Sequence, residues 1–151
     1  MQNYAADKYT ELTGEGFITV WPWNYSAIIA GTWAWGDNTN QMYDGAWYDS
    51  STADQDQIDY IVSLAAGTYT FSVLTITSNA YGIMDVLIDG ASVGTIDLYT
   101  LAAAYNVIKT ITGIVVATSG LKTISILANG KNGSSSDYTL TYNNFVLFRT
   151  A

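Results

Sequence analysis

The stretch Gly82-Ile-Met-Asp-Val-Leu-Ile-Asp-Gly-Ala-Ser-Val-Gly-Thr-Ile-Asp-Leu98 constrains the fold more than any other, because it sets Asp89-Gly90 between two runs of aliphatic and β-branched residues. Glycine takes a positive φ without a Cβ clash and aspartate tolerates the left-handed region, so the stretch reads as a β-hairpin. Two registers remain open. A two-residue loop sets Val86 opposite Val93 and Ile83 opposite Ile96, whereas a three-residue loop pairs Leu87 with Val93 and Met84 with Ile96. A slip of one residue exchanges the faces of a strand. Either register leaves apolar residues on both sides, so the hairpin is expected in the middle of a sheet, covered on both faces.

The rest of the chain agrees with an all-β reading. Tyrosine (12), tryptophan (5) and many threonine, valine and isoleucine residues favour strands, while the helix formers glutamate (2), lysine (4) and arginine (1) are scarce. Gly16 to Trp21 is a strand candidate ended by Pro22, and Ser26 to Ala30 is another. Gln57 to Leu64 alternates Ile58, Tyr60, Val62 and Leu64 against Gln57, Asp59, Ile61 and Ser63, the period of a half-buried strand. Thr68 to Thr77 starts with the same alternation and then changes face at Leu74 and Ile76, which predicts a bulge or a second covering layer. Tyr99 to Ala104 has helical leanings, Tyr105 to Val116 reads as a long strand kinked near Gly113, and Leu121 to Ala128 alternates again. Asn129 to Asp137 reads as a solvent loop, and the closing strand Tyr138 to Phe148 ends in an apolar run expected to be buried. Eight to ten strands separated by turn signals fit an antiparallel jelly-roll β-sandwich. With 151 residues and no linker composition, one domain is expected over 15–151, preceded by an arm or entry segment over 1–14.

Several function classes fall away on composition. The chain carries a net charge of −8, and its five basic residues (Lys8, Lys109, Lys122, Lys131 and Arg149) are scattered, so no stripe exists to neutralise nucleic-acid phosphates. Cysteine and histidine are absent, which removes disulfides, thiolate and imidazole metal ligands and histidine-based triads. No apolar run approaches the length of a bilayer span, so no membrane partner is expected, and the first residues lack a secretion-signal pattern. No cofactor is implied. Ser134 to Ser136 lie without a base, and no phosphate-cradling loop or nucleophile elbow is present, so no catalytic residue is assigned.

From Asp56 onward the order Asp56-Gln-Ile-Asp-Tyr, Ala66-Gly-Thr-Tyr-Thr-Phe, Val86-Leu-Ile-Asp-Gly, Val93-Gly-Thr-Ile-Asp-Leu-Tyr, Ser119-Gly-Leu-Lys-Thr-Ile-Ser and Phe145-Val-Leu-Phe-Arg resembles the jelly-roll domains of carbohydrate-binding modules. It also resembles bacteriophage fibre heads and capsid decoration proteins. The resemblance covers roughly the last two-thirds of the chain and implies an antiparallel two-sheet domain, in phage proteins often a trimer. It transfers no site residue, because sandwiches of this kind host many functions.

The aromatic set Trp33, Trp35, Tyr43, Trp47 and Tyr48 is the candidate binding surface. Such rings stack on the apolar face of a pyranose, and Asp37, Asn38, Asn40 and Asp44 stand near in sequence to supply hydrogen bonds. The competing account places these rings in the core or in a subunit interface, where tyrosine and tryptophan are enriched. With 49% hydrophobic and 12% charged residues the chain has an apolar surplus, which favours the interface. The acidic set Asp49, Asp54, Asp56 and Asp59 offers oxygen ligands of the kind Ca²⁺ accepts, but lacks the EF-hand pattern and reads as a solvated loop, so no metal is assigned. The leading expectation is therefore a non-catalytic virion surface protein, a homo-oligomer of three copies contacting capsid or tail proteins. The alternative is a carbohydrate-binding module whose partner is a glycan.

Overall fold

The computed structural model describes residues 11–12, 16–36, 42 and 45–151. Twelve strands lie among them, with no α-helix, and form two facing sheets of six strands each, a jelly-roll β-sandwich. One sheet holds β1 (Glu11–Leu12), β3 (Ala27–Ala30), β6 (Gln57–Leu64), β8 (Ile83–Ile88), β9 (Ala91–Asp97) and β11 (Gly120–Ala128). The other holds β2 (Gly16–Val20), β4 (Trp33–Gly36), β5 (Ala46–Asp49), β7 (Gly67–Thr77), β10 (Ala104–Val116) and β12 (Thr141–Arg149). The first runs β1-β6-β11-β8-β9 with β3 also on β6, and the second runs β10-β7-β12-β5-β4 with β2 also on β12.

The period-two strands build the core as their alternation predicts. Ile58, Tyr60, Val62 and Leu64 of β6 and Ile124 and Ile126 of β11 face Tyr69, Phe71 and Val73 of β7 and Phe145 and Leu147 of β12, all buried. Each aliphatic or aromatic side chain buried in this way stabilises the fold by roughly 1.5–3 kcal/mol relative to leaving it exposed. The aromatic centre is packed edge to face: Phe145 lies 5.2 Å from Tyr60 at 81° and 5.2 Å from Phe71. The face change in β7 is real, since Thr75, Ile76 and Thr77 are all buried. Ile76 packs with Met42 and Ala46 in a second small apolar cluster.

Two hydroxyls tie the sheets together. The Tyr60 and Tyr142 hydroxyls lie 2.6 Å apart across the sandwich, and the Tyr60 hydroxyl donates to the Pro22 carbonyl at 3.0 Å. A phenol has one proton to give, so Tyr60 donates to Pro22 and Tyr142 donates to Tyr60. Pro22 begins a short 3₁₀ turn, Pro22–Asn24, on the connection that carries the chain from β2 in one sheet to β3 in the other. The network therefore joins β6, β12 and the crossing between them.

The hairpin combines the two registers considered above. Ile88 pairs with Ala91 and Leu87 with Ser92 around a two-residue Asp89-Gly90 loop, whose φ values of 50° and 82° are left-handed. A bulge then shifts the pairing to Val86 with Gly94 and Met84 with Ile96, the register of a three-residue loop. Its position departs from expectation: β9 is the edge of its sheet and largely exposed. The strand has a single fully inward residue, Ile96, too little to hold a covering layer on both faces.

Three other expectations change. Tyr99 to Ala104 forms bends and a bridge from Tyr99 to Ser78 where a helical turn was expected, because six residues cannot offset helix nucleation and the Asp97 carboxylate takes the Tyr99 amide. Phe148 is exposed beside Phe17, its partner across β2, because alternation along β12 turns it away from the core after Leu147. The 129–137 loop is not wholly in solvent: Ser135 is buried, and its hydroxyl donates to the Tyr81 carbonyl at 2.8 Å. Of the 1–14 arm, only Glu11–Leu12 fall within the described residues, as a short strand parallel to Ser63–Leu64.

The donor order makes a prediction. Tyr60→Phe removes both hydrogen bonds and leaves the buried Tyr142 hydroxyl without its acceptor, while Tyr142→Phe keeps the Tyr60 to Pro22 bond. Urea unfolding should show Tyr60→Phe losing about 2–3 kcal/mol and Tyr142→Phe about 1 kcal/mol. Equal losses, or the reverse order, would contradict the assignment.

Candidate functional site

The site is organised by a two-stranded ribbon, β4 paired with β5, that ends the second sheet. Its register sets Trp33 opposite Asp49, Ala34 opposite Tyr48, Trp35 opposite Trp47 and Gly36 opposite Ala46. Cross-strand partners in an antiparallel pair share a face, so the ribbon sorts its side chains into two groups. Gly36, Ala46 and Tyr48 face one way, and Trp33, Trp35, Trp47 and Asp49 the other. Gly45 enters the ribbon at φ 95°, where a Cβ would stand 2.7 Å from both the Gly36 carbonyl oxygen and the Trp35 ring. Only glycine fits there.

On the first face a cleft of about 340 Å³ opens between the ribbon, the end of β7 and the starts of β10 and β12. Tyr48, Tyr81 and Tyr105 supply its rings, Ser78, Thr139 and Thr141 its hydroxyls, and Ile76, Ala46 and Gly36 its apolar lining. Tyr48 and Tyr105 are more than a third exposed, free to meet a ligand. Tyr81 is fixed by a 2.9 Å hydrogen bond to the Thr141 hydroxyl, and burial pushes its phenol up from the ordinary range, so it stays neutral. No ionisable carboxylate or cation stands among the described residues that line the cleft. The arrangement suits a neutral, hydroxyl-rich ligand with an apolar face.

On the other face Trp33 and Trp47 are buried. Trp33 donates its indole N–H to the Ala30 carbonyl and packs on Tyr142, while Trp47 lies 5.7 Å from Tyr25. Trp35 is 37% exposed and meets Trp23 edge to face at 5.4 Å, and Trp23 stacks on Trp21 at 5.4 Å and 7°. The expected platform thus divides. Trp33 and Trp47 belong to the core, Tyr48 lines the cleft, Trp35 joins an exposed indole cluster, and Tyr43 lies outside the described residues, as do Asp37, Asn38, Asn40 and Asp44. Trp21 falls at the end of one predicted strand and Tyr105 at the start of another, and the alternation singles out neither Trp23 nor Tyr81. The signal available for Trp21 and Trp23 was Trp21-Pro22-Trp23 itself, two indoles flanking the chain's single proline.

The acidic set is a solvated loop only in part, since Asp54 is exposed. Asp49 and Asp56 are buried, because the 49–56 segment folds back against the ends of β4 and β6. The Ser51 hydroxyl lies 2.7 Å from Asp49 Oδ1 and 2.6 Å from Asp56 Oδ2, and Asp49 Oδ2 has no partner among the described residues. Ser51 has one hydroxyl proton and so donates to one carboxylate at a time, and each carboxylate also accepts a backbone amide, Ser51 N–H on Asp49 at 3.2 Å and Ala53 N–H on Asp56 at 3.0 Å. Burial, with the Asp56 carboxylate beside it, pushes the Asp49 carboxyl up from 3.8 to about 6. Asp54 and Asp59 are held elsewhere, by the Gly130 amide and the Gln57 side chain. Ca²⁺ takes six to eight oxygens, and no three acidic, cysteine or histidine side chains converge among the described residues, so no role is given to a metal.

No protein-family model matches the sequence, and no curated protein matches it. Solved structures share its fold. A Paenibacillus xanthan lyase matches with a TM-score of 0.69 and 23% identity over 83% of this chain, which spans only 12% of the lyase chain. A family 36 carbohydrate-binding module in complex with calcium and xylotriose matches with a TM-score of 0.61 and 20% identity, over 87% of this chain and 98% of that one. A β-1,3-glucan-binding family 6 module from Bacillus halodurans gives 0.59 and 17%, over 88% and 96%. The fold is therefore the jelly-roll β-sandwich of carbohydrate-binding modules, and the two modules are matched along nearly their whole length.

The buried acid pair sets a pH dependence. The native Asp49 carboxyl holds its proton to about pH 6 and the unfolded one only to about 4, so between these values the native state binds more protons and stability falls as pH rises. The loss is at most about 3 kcal/mol, complete above pH 6. Asp49→Asn should remove this component. Its urea midpoint should exceed that of the wild type at pH 7.5 and approach it at pH 4, and a wild type minus variant difference that does not change with pH would contradict a raised Asp49 carboxyl.

Proposed function

We propose that the chain is a non-catalytic carbohydrate-binding module that holds a neutral glycan segment in the cleft of Tyr48, Tyr81 and Tyr105. One observation carries this reading: a cleft of oligosaccharide-compatible size combines three phenol rings and three aliphatic hydroxyls with no charged group among its described lining residues. Phenol faces pack on the C–H faces of a pyranose, and threonine and serine hydroxyls exchange hydrogen bonds with its hydroxyls. Glycoside hydrolysis asks for two carboxyl groups about 5–10 Å apart across the scissile bond, and the cleft offers no such pair among the described residues.

The structural neighbours support the same class, since modules of this fold are described with xylotriose, xylose and β-1,3-glucan. The virion-assembly expectation has no comparable support: nothing in the fold or among these neighbours favours a capsid or tail partner, a virion location or a trimer. The apolar surplus behind that expectation is accounted for largely by the continuous core and by the aromatic surfaces themselves.

Calorimetric titration with xylo-, β-1,4-gluco- and β-1,3-gluco-oligosaccharides tests the reading. At least one should bind, and Tyr48→Ala and Tyr105→Ala should each weaken it by about tenfold, the loss of roughly one ring contact. Neither variant removes a core side chain, so both should stay folded. Silence across the panel, or affinity unchanged in the double variant, would overturn it.

A further inference from the structure

The exposed indoles on the far face of the ribbon have no part in the cleft. Trp21, Trp23 and Trp35 are 40%, 52% and 37% exposed, yet they are held in order. Pro22 between the first two is buried, and its carbonyl accepts from Tyr60. The Asn24 amide closes the turn onto the Trp21 carbonyl at 3.0 Å, and the Ser26 amide is pinned to the Asp59 carbonyl at 2.8 Å. Trp23 is clamped between the face-to-face partner Trp21 and the edge-on Trp35. Three large, partly exposed rings, two on the turn and one on β4, form a contiguous patch of the kind that marks a binding surface. Their ordering cost is met by folding, so a ligand need not supply it.

The charge pattern says what such a ligand is. From Phe17 to Gly36 the sequence carries no aspartate, glutamate, lysine or arginine, twenty residues in a chain of net charge −8. An acidic polymer or an anionic bilayer would meet no cation here and would be repelled by the chain as a whole. A neutral ligand with flat apolar faces fits, and pyranose rings stack on indoles as they do on phenols.

We propose that Trp21, Trp23 and Trp35 form a second contact surface for neutral polysaccharide, on the opposite face of the β4–β5 ribbon from the tyrosine cleft. The proposal rests on the glycan reading of the cleft and extends it. A short soluble oligosaccharide occupies one surface at a time, whereas an insoluble polysaccharide offers neighbouring chains to both. Two weak contacts on one rigid body then act together, and retention exceeds what either gives alone.

Depletion from insoluble xylan and insoluble β-1,3-glucan tests this alongside calorimetry with the matching soluble oligosaccharides. Trp21→Ala/Trp23→Ala should lose at least tenfold in retention on the polysaccharide, while the affinity of the cleft for the oligosaccharide stays unchanged. In the folded Tyr48→Ala/Tyr105→Ala variant, soluble polysaccharide should still shield indole fluorescence from acrylamide quenching, a readout that does not depend on the tryptophan variants folding. Retention unchanged in the tryptophan variant, or no shielding in the tyrosine variant, would overturn the second surface and leave the cleft standing. A wild type that binds neither oligosaccharide nor polysaccharide would overturn both readings, and a protein partner for the indoles would show as shielding by no polysaccharide.

Discussion

The hydrogen-bonded chain Tyr142 to Tyr60 to Pro22 is the interaction on which the rest depends, since it joins β6 of one sheet and β12 of the other to the turn that crosses between them. Buried phenols are costly unless satisfied, and here two satisfy each other across a core that Phe71, Phe145, Trp33, Trp47, Tyr69 and aliphatic side chains fill. Burial pushes both hydroxyls well above the usual tyrosine range, so the network stays neutral throughout the physiological range. Its third member is a backbone carbonyl, which makes the network positional as well as stabilising. The Pro22 carbonyl fixes the turn, and the turn fixes Trp21 and Trp23.

The β4–β5 ribbon uses a strand's alternation to divide one aromatic-rich segment among three roles. Trp33 and Trp47 fill the interior, Tyr48 lines the cleft, and Trp35 ends at the mouth of the sandwich where Trp23 reaches it. No charged side chain among the described residues enters the cleft, and none lies on the turn. The buried acids are gathered at the other end of the ribbon, where Asp49 stands opposite Trp33. Among the described residues, the aromatic surfaces and the buried acids are thus kept apart.

The sequence is legible where one periodicity dominates. Gln57 to Leu64 and the first half of Thr68 to Thr77 declare their inward faces by strict alternation, and the Asp89-Gly90 turn by its residue types; the structure agrees in each case. The hairpin's register is not decidable from sequence, because its bulge at Val93 makes the two-residue register correct beside the turn and the three-residue register correct beyond it. The aromatic site was legible only in kind. Trp33 and Trp35 do share a face, as their spacing requires, but one end of that face is closed by Tyr142 and the other opens beside Trp23, a difference set by packing between sheets. Tyr81 and Tyr105 are brought to Tyr48 from more than thirty residues away, and nothing local marks them. Asp49 and Asp56 looked like loop residues because aspartates usually are; what buries them is the return of the 49–56 segment.

The central claim is that the tyrosine cleft is where a glycan binds. The most direct measurement is an amide chemical-shift map on isotope-labelled protein titrated with xylotriose and with laminaritriose. The account predicts that the perturbed amides cluster at Tyr48, Ser78, Tyr81, Tyr105 and Thr141, with β9 and β11 unmoved. Perturbations confined to residues away from those five, or none with either sugar at millimolar concentration, would contradict it.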